Sequence, residues 1–299
     1  MSAGTSGPGS AALLRETYVH ESGDPSSPAV VFVHGGGPDG RMWRWHLDRL
    51  AGSFHCLAPD LPGFGRSNRL PSISLARTAD LVAELIASNA AAGRGYVVGL
   101  SYGGSVVLTL LGRHADRVER AVIDGSGVLS WWGDRLVVAG AVAASPIVNT
   151  RPVAAALGLV GLGELGEVLR SVSPPAFRRA FIEGYTPPLR PQLLEAPCTS
   201  LFVAGEREGT VRASNTAFAA LMPQAQAYFM PGFGHAWFAW RRELHVRMVE
   251  AWLTEEPLPP ELRQEPPSGA AVERVLRLLA DQRPRVRQRP GWPPRRHAA

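Results

Sequence analysis

Gly99-Leu100-Ser101-Tyr102-Gly103 decides how this chain is read. An apolar run, Tyr96-Val97-Val98, stands before it, and a small, apolar run, Gly104 to Leu111, follows. The first reads as a buried strand and the second as a helix. A serine between a strand and a helix, with glycine two positions away on either side, sits on a turn too tight for side chains at the flanking sites. Such a turn lifts the hydroxyl above the sheet edge and aims a helix N-terminus at it.

The neighbouring segments give the turn its context. Ala29 to Val33 is all apolar, as a strand buried on both faces requires, and it runs into His34-Gly35-Gly36-Gly37-Pro38. Glycines at the end of a central strand leave backbone N–H groups free to face a ligand. Arg41 to Leu50 has apolar residues at helical spacing. Phe54 to Ala58 reads as a third strand, entering Pro59-Asp60-Leu61-Pro62-Gly63-Phe64-Gly65-Arg66-Ser67, and Leu75 to Ala90 is an amphipathic helix. Strands and helices alternate from residue 29 to residue 124, which predicts a mostly parallel sheet covered on both faces.

Taken in order, VFVHGGG, APDLPGFGRS, VVGLSYGG, LFVAGERE and GFGHAWF resemble the α/β-hydrolase fold of esterases, lipases and C–C hydrolases. The resemblance covers roughly residues 15 to 254. It implies a nucleophile at Ser101 and a general base at His235, in the loop after the strand-like Ala225 to Met230. It implies an acid at Glu208, where the family usually has Asp. Asp124, at the end of Ala121-Val122-Ile123, is the alternative acid, because some members carry it there. Backbone N–H groups of Gly36 and Tyr102 are the implied oxyanion donors. His34 reads as structural within the glycine loop, and the Asp60 to Ser67 loop as structural near the site. The remaining histidines, including His46 and His245, carry no motif and read as exposed or packing residues.

The fold class expected is therefore α/β, with a mostly parallel central sheet, flanking helices and an inserted helical lid. The boundaries are a flexible N-terminus at 1–14, a first core half at 15–127, the lid at 128–196, a second core half at 197–254, and a Pro/Arg-rich extension at 255–299. Within the lid, Trp131-Trp132 and the apolar runs Leu136 to Ala144 and Val153 to Leu162 predict a greasy pocket.

A net charge of +5 arises from 31 basic and 26 acidic residues, and every basic one is arginine. The charge gathers in the tail, from Arg283 to Arg296, with no acidic residue after Asp281. After Glu255 the chain turns Pro-rich, shows a short helical pattern at Ala271 to Leu279 and ends in these arginines, and it reads as a disordered basic extension able to touch anionic partners weakly. No specific nucleic-acid or membrane partner follows from it. No secretory leader is evident at Met1 to Ser10, and no apolar run is long enough to span a bilayer, so a cytoplasmic location is expected. Cys56 and Cys198 read as free and buried. No metal-ligand spacing, dinucleotide fingerprint or phosphate loop is present, so no metal and no cofactor is implied.

The expected activity is a serine hydrolase acting on carboxylic esters or related acyl compounds of small molecules. A serine at the elbow argues against the epoxide hydrolases and dehalogenases of this fold, which use a carboxylate there. Two alternatives stay open: a C–C hydrolase of ring-cleavage products, although Leu100 replaces the usual Asn, and a non-catalytic binding module.

Overall fold

The computed structural model describes residues 9–128, 132–159 and 163–281. The chain enters through α1 (Ser10–Glu16), β1 (Val19–Ser22), β2 (Ala29–Val33), α2 (Arg44–Leu50), β3 (His55–Pro59) and α3 (Leu75–Asn89). The central unit follows: β4 (Gly95–Leu100), α4 (Tyr102–His114) and β5 (Val118–Asp124). Four helices come next without a strand: α5 (Trp132–Ala144), α6 (Arg151–Leu159), α7 (Gly163–Leu169) and α8 (Pro174–Tyr185). The sheet resumes with β6 (Thr199–Gly205), α9 (Gly209–Leu221), β7 (Ala225–Met230), α10 (Trp237–Trp240) and α11 (Arg242–Leu253). Last come β8 (Arg263–Gln264) and α12 (Gly269–Asp281).

One eight-stranded sheet runs in the order β1-β3-β2-β4-β5-β6-β7-β8, parallel except at the two edge pairs. Its interior strands are apolar at every position because both faces are covered. Alternate residues divide between the faces. Val31, Val33, Val97, Ile123 and Phe202 join the core beneath α3, α4 and α9. Val30, Phe32, Val98, Val122 and Leu201 join the core beneath α2 and α11. The carboxyl ends of β4, β5, β6 and β7 therefore open on one edge. Among the described residues no helix is long and apolar enough to cross a membrane.

Three expectations need correction. Residues 10–14 are not flexible: they are helical, and Leu13 is buried with Ile73 and Leu81. The boundary at 255 does not end the folded chain. Arg263 pairs with Phe229, and α12 packs on α9, burying Ala271, Val275 and Leu279. Those three residues recur every four positions, so the helix has an apolar stripe that needs a partner. Bidentate hydrogen bonds from Arg212 on α9 to Glu265 pin the connecting segment. The arginine-rich tail from residue 282 and Trp131 lie outside the described residues. The segment Arg41 to Leu50 begins as a 3-10 turn over Gly40–Trp43, where Asp39 caps Arg41 N, and becomes α-helical at Arg44.

The docked C-terminal helix makes a stability prediction. Leu279→Ala removes buried methyl groups beneath α12 and should cost about 2 kcal/mol in urea unfolding. An unchanged midpoint would mean that α12 contributes nothing to the core.

Candidate active site

The serine turn is strained in the way its glycines predict. Ser101 has φ 56° and ψ −117°, a conformation non-glycine residues rarely adopt. A Cβ placed at Gly103 would lie 2.1 Å from the Val33 carbonyl oxygen, and one at Gly99 would lie 2.4 Å from the Gly103 oxygen. Only glycine lets α4 approach β2 this closely. The Ser101 N–H donates to the Asp124 carbonyl at 2.8 Å, which fixes the turn against the next strand.

Glu208 and His235 come from two adjacent loops stitched together by hydrogen bonds. Arg207 N donates to Phe233 O, and Gly232 N donates to the Glu206 carboxylate at 2.6 Å. A Cβ at Gly205 would meet the Gly234 oxygen at 2.5 Å, so β6 must end in glycine. The Glu208 carboxylate then bridges the loops. Its Oε2 accepts from Gly205 N, and its Oε1 meets His235 Nδ1, both at 2.7 Å. Gly125 faces the other side of the ring: a Cβ there would sit 2.8 Å from His235 Cε1.

Half of the His235 side chain is exposed, while its Nδ1 edge is enclosed by Gly125 and Glu208. Desolvation lowers its pKa. The hydrogen bond and charge of Glu208, with the charge of Asp124, outweigh this and leave the pKa raised above 6.5. This bond adds stability below pH 6.5 and loses it as pH rises through the folded value.

The glycine loop and the helical insertion close the other side. A Cβ at Gly35 would contact Ser101 Cβ at 3.6 Å, and one at Gly36 would lie 3.6 Å from Tyr102 Cβ. Tyr102 begins α4, where N–H groups have no intrahelical acceptor. The two expected oxyanion donors thus belong to neighbouring residues. His34 is buried and orders the loop. Nδ1–H donates to Gly35 O, and Nε2 accepts from Leu61 N at 3.0 Å, with burial holding the ring neutral. Above the loop, a Cβ at Gly36 would meet Ala180 Cβ at 3.1 Å and Phe181 at 3.8 Å, and one at Gly37 would meet Leu169 at 3.4 Å. Helix α8 is held there by Ser105 Oγ donating to Gly184 O at 2.9 Å and by Glu183 accepting from Leu75 N. The side chain of Trp132, like Trp131, is not among those described.

Asp124, the alternative acid, has its carboxylate hydrogen-bonded to other partners. Trp237 Nε1 donates to its Oδ1, and His245 Nε2 meets its Oδ2, each at 3.1 Å. His46 and His245 are therefore bonded to a buried polar chain, a role that simple packing had not suggested. Neither lies in a glycine motif, and their only sequence signal is a histidine within an apolar helix face. One more grouping was not visible in the sequence: His20, Asp39 and Asp60 place ligand-type atoms within 4.8 Å of one another. Their lone pairs are engaged within the protein. Asp60 accepts from Gly40 N and Arg66 N and meets His20, and Asp39 accepts from the Arg41 guanidinium. The group braces the Asp60 loop, and these contacts give no support for a bound cation.

The family whose pattern matches the chain is described as the Alpha/beta hydrolase family, over residues 30–297. A pimeloyl-[acyl-carrier protein] methyl ester esterase from Vibrio vulnificus is 33% identical over 106 residues, 36% of this chain and 40% of that protein. A 2-hydroxymuconate semialdehyde hydrolase from Pseudomonas is 35% identical over 121 residues, 38% of this chain and 41% of that protein. Matched stretches span 25% to 42% of the lengths of the curated relatives. In three dimensions, the structure titled MenH from S. aureus superposes with a TM-score of 0.65 at 19% identity, covering 80% of this chain and 98% of that one.

The turn geometry and the Glu208–His235 electrostatics each give a prediction. Ser101→Gly should be more stable than Ser101→Ala by about 1 kcal/mol, because only glycine relieves the turn. Equal urea midpoints would show that the turn is unstrained. In an NMR titration, the His235 imidazole should have a midpoint above 6.5, and Glu208→Gln should lower it. A midpoint unmoved by Glu208→Gln would contradict the charge coupling.

Proposed function

We propose that this chain, which belongs to the alpha/beta hydrolase family, is a serine hydrolase cleaving carboxylic esters or related acyl compounds of small, apolar molecules. The observation that carries this reading is the Glu208–His235 contact at 2.7 Å, with Gly125 against the His235 ring and its neighbour Asp124 accepting the N–H of Ser101, which is held on a strained turn. With Nδ1–H committed to Glu208, the lone pair of His235 lies on Nε2. That nitrogen takes the Ser101 proton as Oγ attacks the acyl carbon.

The carbonyl π electrons move to oxygen, where the N–H groups of Tyr102 and Gly36 receive the charge. One such donor is worth about 3 kcal/mol in the transition state. His235 then gives its proton to the departing alcohol as the C–O bond breaks and the acyl-enzyme forms. Water, deprotonated by His235, attacks the acyl carbon, and Ser101 leaves with the proton returned. The insertion α5–α8 acts as a lid, with Ala180, Phe181 and Leu169 as the apolar cover of the acyl pocket. The cycle needs no cofactor. The same reading keeps the expected cytoplasmic location.

Relatives that cleave a methyl ester and a semialdehyde bear names consistent with acyl chemistry, and the carbon–carbon reading remains the rival. Hydrolysis of p-nitrophenyl esters from acetate to decanoate tests the proposal. Short chains should turn over fastest, and Ser101→Ala should abolish turnover. Phe181→Ala should move the preference toward longer chains. Folded protein inert toward every ester would overturn the ester reading, and cleavage of a vinylogous 1,5-diketone would then favour the carbon–carbon one.

A further inference from the structure

Behind the site, on the α2 and α11 side of the sheet, a buried polar chain is left unused by the mechanism above. His46 Nε2 lies 2.7 Å from His245 Nδ1, and His245 Nε2 lies 3.1 Å from Asp124 Oδ2. Trp237 Nε1 donates to Asp124 Oδ1 at 3.1 Å. None of the four is more than 2% exposed. Polar groups in such a place are costly unless each is bonded.

The partners assign the protons. His46 Nδ1 is buried without a hydrogen-bond partner. An orphaned ring nitrogen is tolerated better as a lone pair than as an N–H. His46 therefore donates from Nε2 to His245 Nδ1, and His245 donates from Nε2 to Asp124. Burial keeps both rings neutral, His46 well below 6.5 and His245 down to about 3. Asp124 ends the chain as its acceptor, taking hydrogen bonds from His245 and Trp237. Burial, with the Glu208 charge adding, pushes its pKa up, so its ionised form depends on those donors.

Asp124 reaches the site by three covalent or hydrogen-bonded routes. Its carbonyl accepts the Ser101 N–H at 2.8 Å. Gly125, the next residue, packs against the His235 ring. Its carboxylate holds Trp237, two residues beyond His235. We infer that Asp124 is a positioning residue for His235, kept ionised and in register by the buried His245–His46 relay, and serves the imidazolium as a second carboxylate behind Glu208. This rests on the serine-hydrolase reading. The groups facing His235 are Glu208 from the β6–α9 loop and Asp124 from β5, with Arg207 flanking Gly234. Those facing Asp124 are His245 from α11, Trp237 from α10, Glu208 and His235, with His46 of α2 behind His245.

The test is an NMR titration of His235 in histidine-labelled full-length protein, run beside the pH profile of p-nitrophenyl acetate hydrolysis. Asp124→Asn and His245→Phe should lower the His235 midpoint and move the acid limb of kcat/KM down with it. They should reduce kcat about 10- to 100-fold, as for a general base displaced but not removed, with little change in KM. His245→Gln keeps an N–H in reach of Asp124 and should restore both. A His235 midpoint unchanged in Asp124→Asn overturns the inference, whatever the activity. The midpoint shift in protein with no esterase turnover would uphold the coupling while overturning the ester reading. Should Asp124→Asn not fold, the His245→Phe and His245→Gln pair decides by the same criterion: a shift rescued by Gln supports the relay, and equal midpoints overturn it.

Discussion

At the end of β4 the backbone leaves no room for a side chain two positions either side of Ser101. The virtual Cβ at Gly103 falls 2.1 Å from the Val33 oxygen, inside any tolerable contact. This approach seats α4 against β2 and forces Ser101 to a positive φ. The first turn of α4 then lies beside the Gly35–Gly37 loop. Strain of about 1–3 kcal/mol is stored there, held by a sheet whose central strands are buried on both faces. Stability and the proposed chemistry thus pull in opposite directions at one residue.

The electrostatics depend on a second close approach, between Gly205 and Gly234. It brings the acid loop against the histidine loop, so that a glutamate, one methylene longer than the usual aspartate, still meets Nδ1. Arg212 ties this arrangement to the C-terminal segment, donating to the Glu206 carbonyl while its guanidinium grips Glu265. The part of the chain beyond the α11 helix therefore braces the acid loop through one arginine.

Much of this was legible in the sequence. Strands buried on both faces announce themselves as unbroken apolar runs, and glycines at obligatory close approaches mark the elbow. The choice between Glu208 and Asp124 was not legible, because two carboxylates end adjacent strands and only side-chain direction separates them. The docking of α12 was hidden by the prolines and arginines around it, although its own stripe of Ala271, Val275 and Leu279 was present. The chain from Asp124 through His245 to His46 was invisible for a different reason. Its members lie 121 and 199 residues apart in sequence, and nothing local to a buried histidine reveals its partner.

The central claim is that Ser101 is a nucleophile activated by His235. Intact-mass analysis after exposure to a fluorophosphonate tests this without any choice of substrate. The account predicts one adduct per chain, mapped to Ser101, and slow or absent labelling in His235→Ala. Labelling at another residue, or equal labelling in His235→Ala, would contradict it.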